Sequence, residues 1–518
     1  MRYLIVFALA GPMLLGQQLF EGLGSWRHPI ATRNPQAQKF FDQGLAWLYG
    51  FNRPEAMRSF KKSAELDPQA VMPYWGMAMA QGPYVNMDMD PPDMKGSCAA
   101  VTAGLALKNA DTAGRDWLTA AGARCPEYKD PAAYIGAMRE VVGKYPDDPD
   151  AQTMLAEALM LPVRWHWYDR EGKAAPGVAE AEHILEQVLS RFPNHPGANH
   201  YYIHAVESSR SPQRAIASAQ RLMGIMPAAG HMVHMPGHIW LVLGDYANTV
   251  AVNERGAEVD RKYFAAAGAN TSYFMYYLHN LQFLLYARAM QGRTPETLEA
   301  IKQTSAGLSQ MASDMPEMAE MFTIFVAEAQ LRMNRWNDVL KTPQPKSGNA
   351  VSMAMWRFPR ALAFAGKGMF DDAVKEQADF EKVRATAPRE MDLSTNKLGE
   401  FLDMASAVVA ARLERTPEAA VAKWEKAVEA EDGLNYDEPP AWYYPVRESL
   451  GAALLMQGQA ARAETVFREG LRRSPNNGRM LFGLLETLKA QKKDTAWVQA
   501  QFDAVWKGAD LVLRLKDL

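Results

Sequence analysis

Ten histidines occur in this chain, and seven of them fall between residues 195 and 279: His195, His200, His204, His231, His234, His238 and His279. His200 and His204 are four residues apart, which on a helix places them about 40° apart on one face. His234 and His238 repeat that spacing, and His234 follows His200 by 34 residues. Neutral imidazole is the commonest transition-metal ligand, and three or four of them suit zinc, copper or iron. Two carboxylates fall in phase with them. Glu157 or Glu207 can complete a ligand shell or act as a base on a metal-bound water. The expected metal ligands are therefore His200, His204, His234 and His238, with His231, His279, Glu157 and Glu207 as further candidates, for a divalent transition metal. The same imidazoles can instead serve a groove that binds a peptide or an anion, as hydrogen-bond donors. His28, His166 and His183 stand outside the pattern and read as core residues.

A 34-residue offset is the period of the tetratricopeptide repeat (TPR), a helix pair that buries its open face on the next pair. Phe40, Gly44, Trp47, Ala56, Phe60 and Pro68 fall at motif positions 4, 8, 11, 20, 24 and 32, with Ser63 a variant at position 27. Gly451, Gly458, Ala463, Phe467 and Pro475 fall at positions 8, 15, 20, 24 and 32 near the other end. Pro146, Pro193 and Pro227 each close a repeat. The pattern predicts an all-α TPR solenoid, a right-handed superhelix of roughly ten to twelve antiparallel helix pairs.

In this frame His200 and His234 share position 5, and His204 and His238 share position 9, on first helices that line the concave groove. His231 and His279 take position 2, Glu207 position 12 and Glu157 position 9. First helices of adjacent repeats pack roughly 8–10 Å apart, so side chains from neighbours can converge. Pro236 lies between His234 and His238, and either kinks the helix or opens it. Met232 and Met235 interleave with the histidines but fall at positions that face the core. Trp165, His166, Trp167 and Tyr168 lie on an insert, residues 162–177, that can wall the site.

The chain divides into a signal peptide at 1–22, N-terminal repeats at 23–148 with a loop at 84–97, central repeats at 149–290 carrying the histidines and the insert, and C-terminal repeats at 291–518. Arg2 followed by the apolar run Leu4 to Leu15 reads as a secretory signal, with the mature chain beginning between Gln17 and Gly22. The protein is thus expected to be periplasmic or secreted. No later stretch reaches about 18 unbroken apolar residues, so no transmembrane segment is expected in the mature chain. Export permits a disulfide between the only two cysteines, Cys98 and Cys125; two free buried thiols are the alternative. A net charge of −3 argues against a nucleic-acid partner. The segment from Asp437 to Glu448 reads as an aromatic entry to a late repeat, either a packed turn or a face that offers Arg447 and Glu448 to the groove.

The stretches HPIATRNPQAQKFFDQGLAWLYGFN, HPGANHYYIHAVESSRSP, AGHMVHMPGHIWLVLGDY and EPPAWYYPVRESLGAALL resemble a family of large bacterial TPR-domain proteins without an assigned activity. The resemblance implies the fold and the importance of the histidines. It also implies a histidine where Gln282 stands, so that this chain has one imidazole fewer than its relatives. Two classes of function follow from the sequence. One is a TPR protein with a histidine-rich metal site, a hydrolase or oxidase if it is catalytic. The other is an interaction scaffold that holds a peptide, a protein or a small molecule in its groove.

Overall fold

The computed structural model describes residues 18–87, 91–108, 111–268 and 271–518. Residues 1–17 of the expected signal peptide, and with them a mature terminus at Gln17, lie outside the described residues. Helices dominate, and the one β-hairpin among the described residues is Asp392–Leu393 with Asn396–Lys397. The helices form twelve consecutive antiparallel pairs, from Pro35–Tyr49 with Arg53–Leu66 to Gly478–Ala490 with Ala496–Val505. This is a TPR solenoid.

Local sequence explains where the helices begin. Asn34, Asp130, Asp148 and His195 each place a side-chain acceptor on the first backbone N–H groups, and each precedes a proline that needs no N–H partner at the helix start. The repeat glycines explain how the helices pair. A Cβ on Gly44 would lie 2.6 Å from the Phe60 ring, and one on Gly76 in the next pair only 2.4 Å from it. Gly451 and Gly483 bracket Phe467 in the same way, at 2.5 and 2.2 Å. One phenylalanine thus sits between the first helices of two successive repeats at both ends of the chain, and a larger residue at either glycine would wedge the pairs apart.

The superhelix winds so tightly that successive turns touch. The N–H of Ala228 donates to the carbonyl of Gly22 at 3.0 Å, and the Tyr263 hydroxyl donates to Glu55 at 3.0 Å, which joins the first pair to the fifth and sixth. The Thr294 N–H donates to Asp510 at 2.7 Å, and the Trp506 ring covers Gly292, which joins the seventh pair to the twelfth. The expectation of an open concave groove at the histidines is therefore corrected. With about five pairs per turn the groove-lining faces close on one another, and positions 2, 5, 9 and 12 become interior. No described helix is long and apolar enough to cross a membrane.

Two boundaries also move. The loop expected at 84–97 ends earlier, because Asp93 caps a helix that starts at Met94. Pro236 opens a helix, Pro236–Val242, that follows Gly230–His234 with only Met235 between them. Cys98 and Cys125 are joined in a disulfide. Met232 and Met235 are buried in the core, as their repeat positions imply.

Candidate metal centre

Three consecutive first helices, Pro196–Glu207, the broken Gly230–His234 with Pro236–Val242, and Thr271–Met290, carry six histidines into one interior space. His200, His204, His231, His234 and His238 are at most 1% exposed, and His279 is 9% exposed. Five of the rings close a circuit, with centroid separations of 5.0 Å for His200–His204, 5.5 Å for His204–His238, 4.7 Å for His238–His234, 5.7 Å for His234–His231 and 4.9 Å for His231–His200. The His279 ring joins the circuit 4.9 Å from that of His234.

In four of the rings an outer partner fixes which nitrogen carries the proton. Nδ1–H of His200 donates to the carbonyl of Tyr49 at 2.6 Å, a group that can only accept. Nδ1–H of His234 donates to Oδ1 of Asn253 at 2.6 Å, and the Asn253 amide nitrogen is itself used on the carbonyl of Thr249 at 2.7 Å. Glu207 accepts from Nδ1–H of both His204, at 2.8 Å, and His238, at 2.6 Å. Each of these four rings therefore turns its Nε2 inward. The inner edges lie close together, with Nε2 of His234 2.7 Å from Nε2 of His238, and Nε2 of His231 3.2 Å from Nε2 of His200. Nε2 of His204 is buried with no hydrogen-bond partner.

Burial governs the charges. Burial first, then neighbouring imidazoles, hold His200, His231 and His234 well below the ordinary histidine value. Burial takes His204 down to about 3 and His279 down to about 4. These five rings are neutral at pH 7 and offer lone pairs. His238 differs: burial pushes it down, but Glu438 and Glu207 outweigh burial and raise it to about 10. Burial, then Glu207, lifts the Glu438 carboxyl to about 7. His238, protonated on both nitrogens, donates from Nδ1 to Glu207 and from Nε2 to Nε2 of His234.

Aromatic side chains seal the space. Phe51 lies 4.4 Å from the His200 ring and stacks on His231 at 5.2 Å, and Phe283 lies 4.7 Å from His234. Trp165, on the insert, meets His204 edge-on at 5.6 Å, so the insert forms a wall as expected. Phe51 and Trp165 both hold positive φ angles, +57° and +63°. A bulky residue in that region is strained, and such strain persists where the surroundings over-determine a site.

Of the residues expected as ligands, only Glu157 is elsewhere. It is buried beside Arg124, Arg53 and Tyr201, and burial lifts its carboxyl to about 7 against the pull of those arginines. Its repeat position is right, but its helix lies one pair upstream and faces a different set of side chains. The expectation that His200, His204, His234 and His238 form one four-membered set is also corrected. The nitrogens that come within 4.8 Å of one another form two triads, His200–His204–His231 and His234–His238–His279. A third group, His204–Glu207–His238–Glu438, lies between them.

Glu438 is the residue that sequence reading missed. It arrives with Tyr436, whose hydroxyl donates to Glu207 at 3.2 Å, on the segment after the tenth pair. Five pairs separate that segment from Glu207, one turn of the superhelix. Arg447 and Glu448 do not face a groove: Glu448 is buried on Arg332 at 3.0 Å and Arg479 at 2.9 Å, and Arg447 pairs with Asp432 at 2.6 Å. His166 and His183 are exposed, which corrects their reading as core residues. His28 is partly buried and donates to Asp150 at 3.0 Å. His195 caps its helix through Nδ1 and donates from Nε2 to Asp150 at 3.1 Å, so it stands outside the cluster.

The sequence matches no family model and no curated protein. Among solved structures it is similar to yeast Tom70, with 14% identity over 91% of this chain and 98% of that one and a TM-score of 0.36. It is also similar to human IFIT1, with 11% identity over 93% and 92% and a TM-score of 0.30, and to the P58(IPK) TPR domain, with 11% identity over 88% and 98% and a TM-score of 0.21. Scores this low carry no argument about the site. The fold stands on the helix pairs and the glycine–phenylalanine seats.

Proposed function

We propose that this chain is an exported TPR protein, related to the large bacterial family it resembles, that holds a divalent transition metal such as zinc, copper or iron inside its solenoid. One observation carries the reading. Four Nδ1–H groups are anchored outward on fixed acceptors, their Nε2 atoms turn toward one another, and that of His204 is left buried without a partner. Metal-binding histidines are oriented in this way, with the second nitrogen held by a carboxylate or carbonyl. Unpaired buried acceptors otherwise cost free energy. Burial also separates the two classes of ligand: an ion fits among these rings, whereas a peptide does not reach them. The disulfide and the apolar N-terminal run support export.

A scaffold role has its own support elsewhere in the molecule. TPR solenoids commonly present binding surfaces. A cavity of about 490 Å³ between the C-terminal pairs is lined by Trp336, Trp424, Trp442, Tyr444 and Arg412. Aromatic residues and arginine are the types enriched at interfaces. Elemental analysis of protein purified without an affinity tag separates the readings. The metal reading expects a transition ion retained through gel filtration. A metal-free protein that takes up no added ion leaves the scaffold.

A further inference from the structure

We infer that the centre holds two ions, one on His200, His204 and His231 and the other on His234, His238 and His279, with Glu207 as the positioning residue shared by both. This rests on the metal reading above and goes beyond it.

The donor set is too large for one ion. Structural and catalytic transition-metal sites in proteins are built from about three or four protein ligands, and six imidazoles face this space. They are also already divided. Within each triad the ligand nitrogens lie within 4.8 Å of one another, and the one such set among the described residues that spans both triads, His204–Glu207–His238–Glu438, takes a single imidazole from each and joins them through carboxylates. Two nitrogens bound to one tetrahedral ion, each at roughly 2.0–2.1 Å, lie roughly 3.3 Å apart. The His200–His231 edge is 3.2 Å, already that of a coordination shell. The His234–His238 edge is 2.7 Å and must open by about half an ångström when an ion replaces the proton.

Glu207 ties the halves together. Its Oε1 accepts from Nδ1–H of His204 in the first triad, and its Oε2 accepts from Nδ1–H of His238 in the second. One carboxylate thereby orients one ligand of each ion and raises the basicity of both. Each half also has its own aromatic cover, Phe51 on the first and Phe283 on the second.

The test is stoichiometry on the full chain, stripped with a chelator and titrated with zinc alone and with copper alone. Uptake should reach two equivalents per chain. His231→Gln and His279→Gln, which keep much of the side-chain volume, should each lower it to one, and the double variant should take up none. Copper raised from one to two equivalents should broaden the electron paramagnetic resonance signal, because ions this close act on each other. Circular dichroism checks that each variant is folded, and a variant that fails is replaced by His204→Gln or His234→Gln in the same half. A saturating uptake of one equivalent overturns the two-ion centre while leaving the metal reading intact. If that single equivalent is lost in Glu438→Gln but kept in both histidine variants, the ion sits in the central His204–Glu207–His238–Glu438 group instead. An uptake of zero overturns the metal reading itself.

Discussion

The carbonyl of Tyr49 accepts a hydrogen bond from Nδ1–H of His200 at 2.6 Å, although 151 residues separate the two. The last residue of the first helix thus orients a ring in the fifth repeat. The Tyr49 hydroxyl reaches the other way, to Asp150 at 2.6 Å. A metal bound through His200 should therefore stiffen the first and fifth repeats together. Amide hydrogen exchange should slow in residues 35–49 as well as 196–207 when the ion is added. Slowing confined to 196–207 would mean that the closed winding does not transmit the ligand.

Glu207 offers a sharper handle. Glu207→Gln keeps the shape but removes the charge that holds two Nδ1–H groups. Loss of such outer partners typically costs about 10–100-fold in metal affinity. Competition against a chromophoric chelator should show a weakening in that range with the helical content unchanged. An unaltered affinity would remove Glu207 from the site.

Asp150 is a structural counterpart. It accepts from Tyr49, Trp26, His28 and His195 in the interior. Burial pushes its carboxyl up, but His195 and His28 outweigh burial and hold it well below the usual aspartate range. A depressed carboxyl stabilises the fold above its unfolded value near 4, and that contribution is lost as pH falls further. Asp150→Asn should cost about 3–5 kcal/mol at pH 7, the usual penalty for breaking a buried charged pair. Urea denaturation measures it, and a cost under about 1 kcal/mol would contradict the hub.

Much of this was legible in the sequence, for a physical reason. A repeat protein is locally determined, so the glycines and phenylalanines that seat helix on helix recur at fixed spacing, and so do His200, His204, His234 and His238. What sequence spacing does not encode is winding. The contact of Glu438 with His238, the burial of the whole cluster and the misplacement of Glu157 all depend on how many pairs complete a turn. Pairing of the rings into triads depends on His231 and His279, which lie outside the repeated four-residue spacing. The left-handed backbone of Phe51 and Trp165 likewise has no glycine to announce it.

The neutral imidazoles set the acid limit of the metal-free protein. His204 near 3 and His279 near 4 bind protons less readily than unfolded histidine near 6.5. The unfolded chain therefore takes up more protons between those values, and stability falls as pH drops below about 6.5. His238, raised to about 10, acts oppositely: its contribution is full below about 6.5 and fades as pH rises toward 10. Thermal melts of stripped protein should fall steeply from pH 6.5 to 4.5. A flat profile there would mean that the rings are not buried neutral.

The most direct test of the central claim is the melting temperature of stripped protein with and without zinc, copper or iron at pH 7.5. An ion at about 100 times its dissociation constant adds roughly 2.7 kcal/mol to the folded state, which should raise the melting temperature by on the order of 5 °C. Replacing His204 and His238 by alanine should abolish the rise, whereas His183→Ala, on the exposed surface, should keep it. If stripped protein melts at the same temperature with every ion, the interior histidines do not form a metal centre.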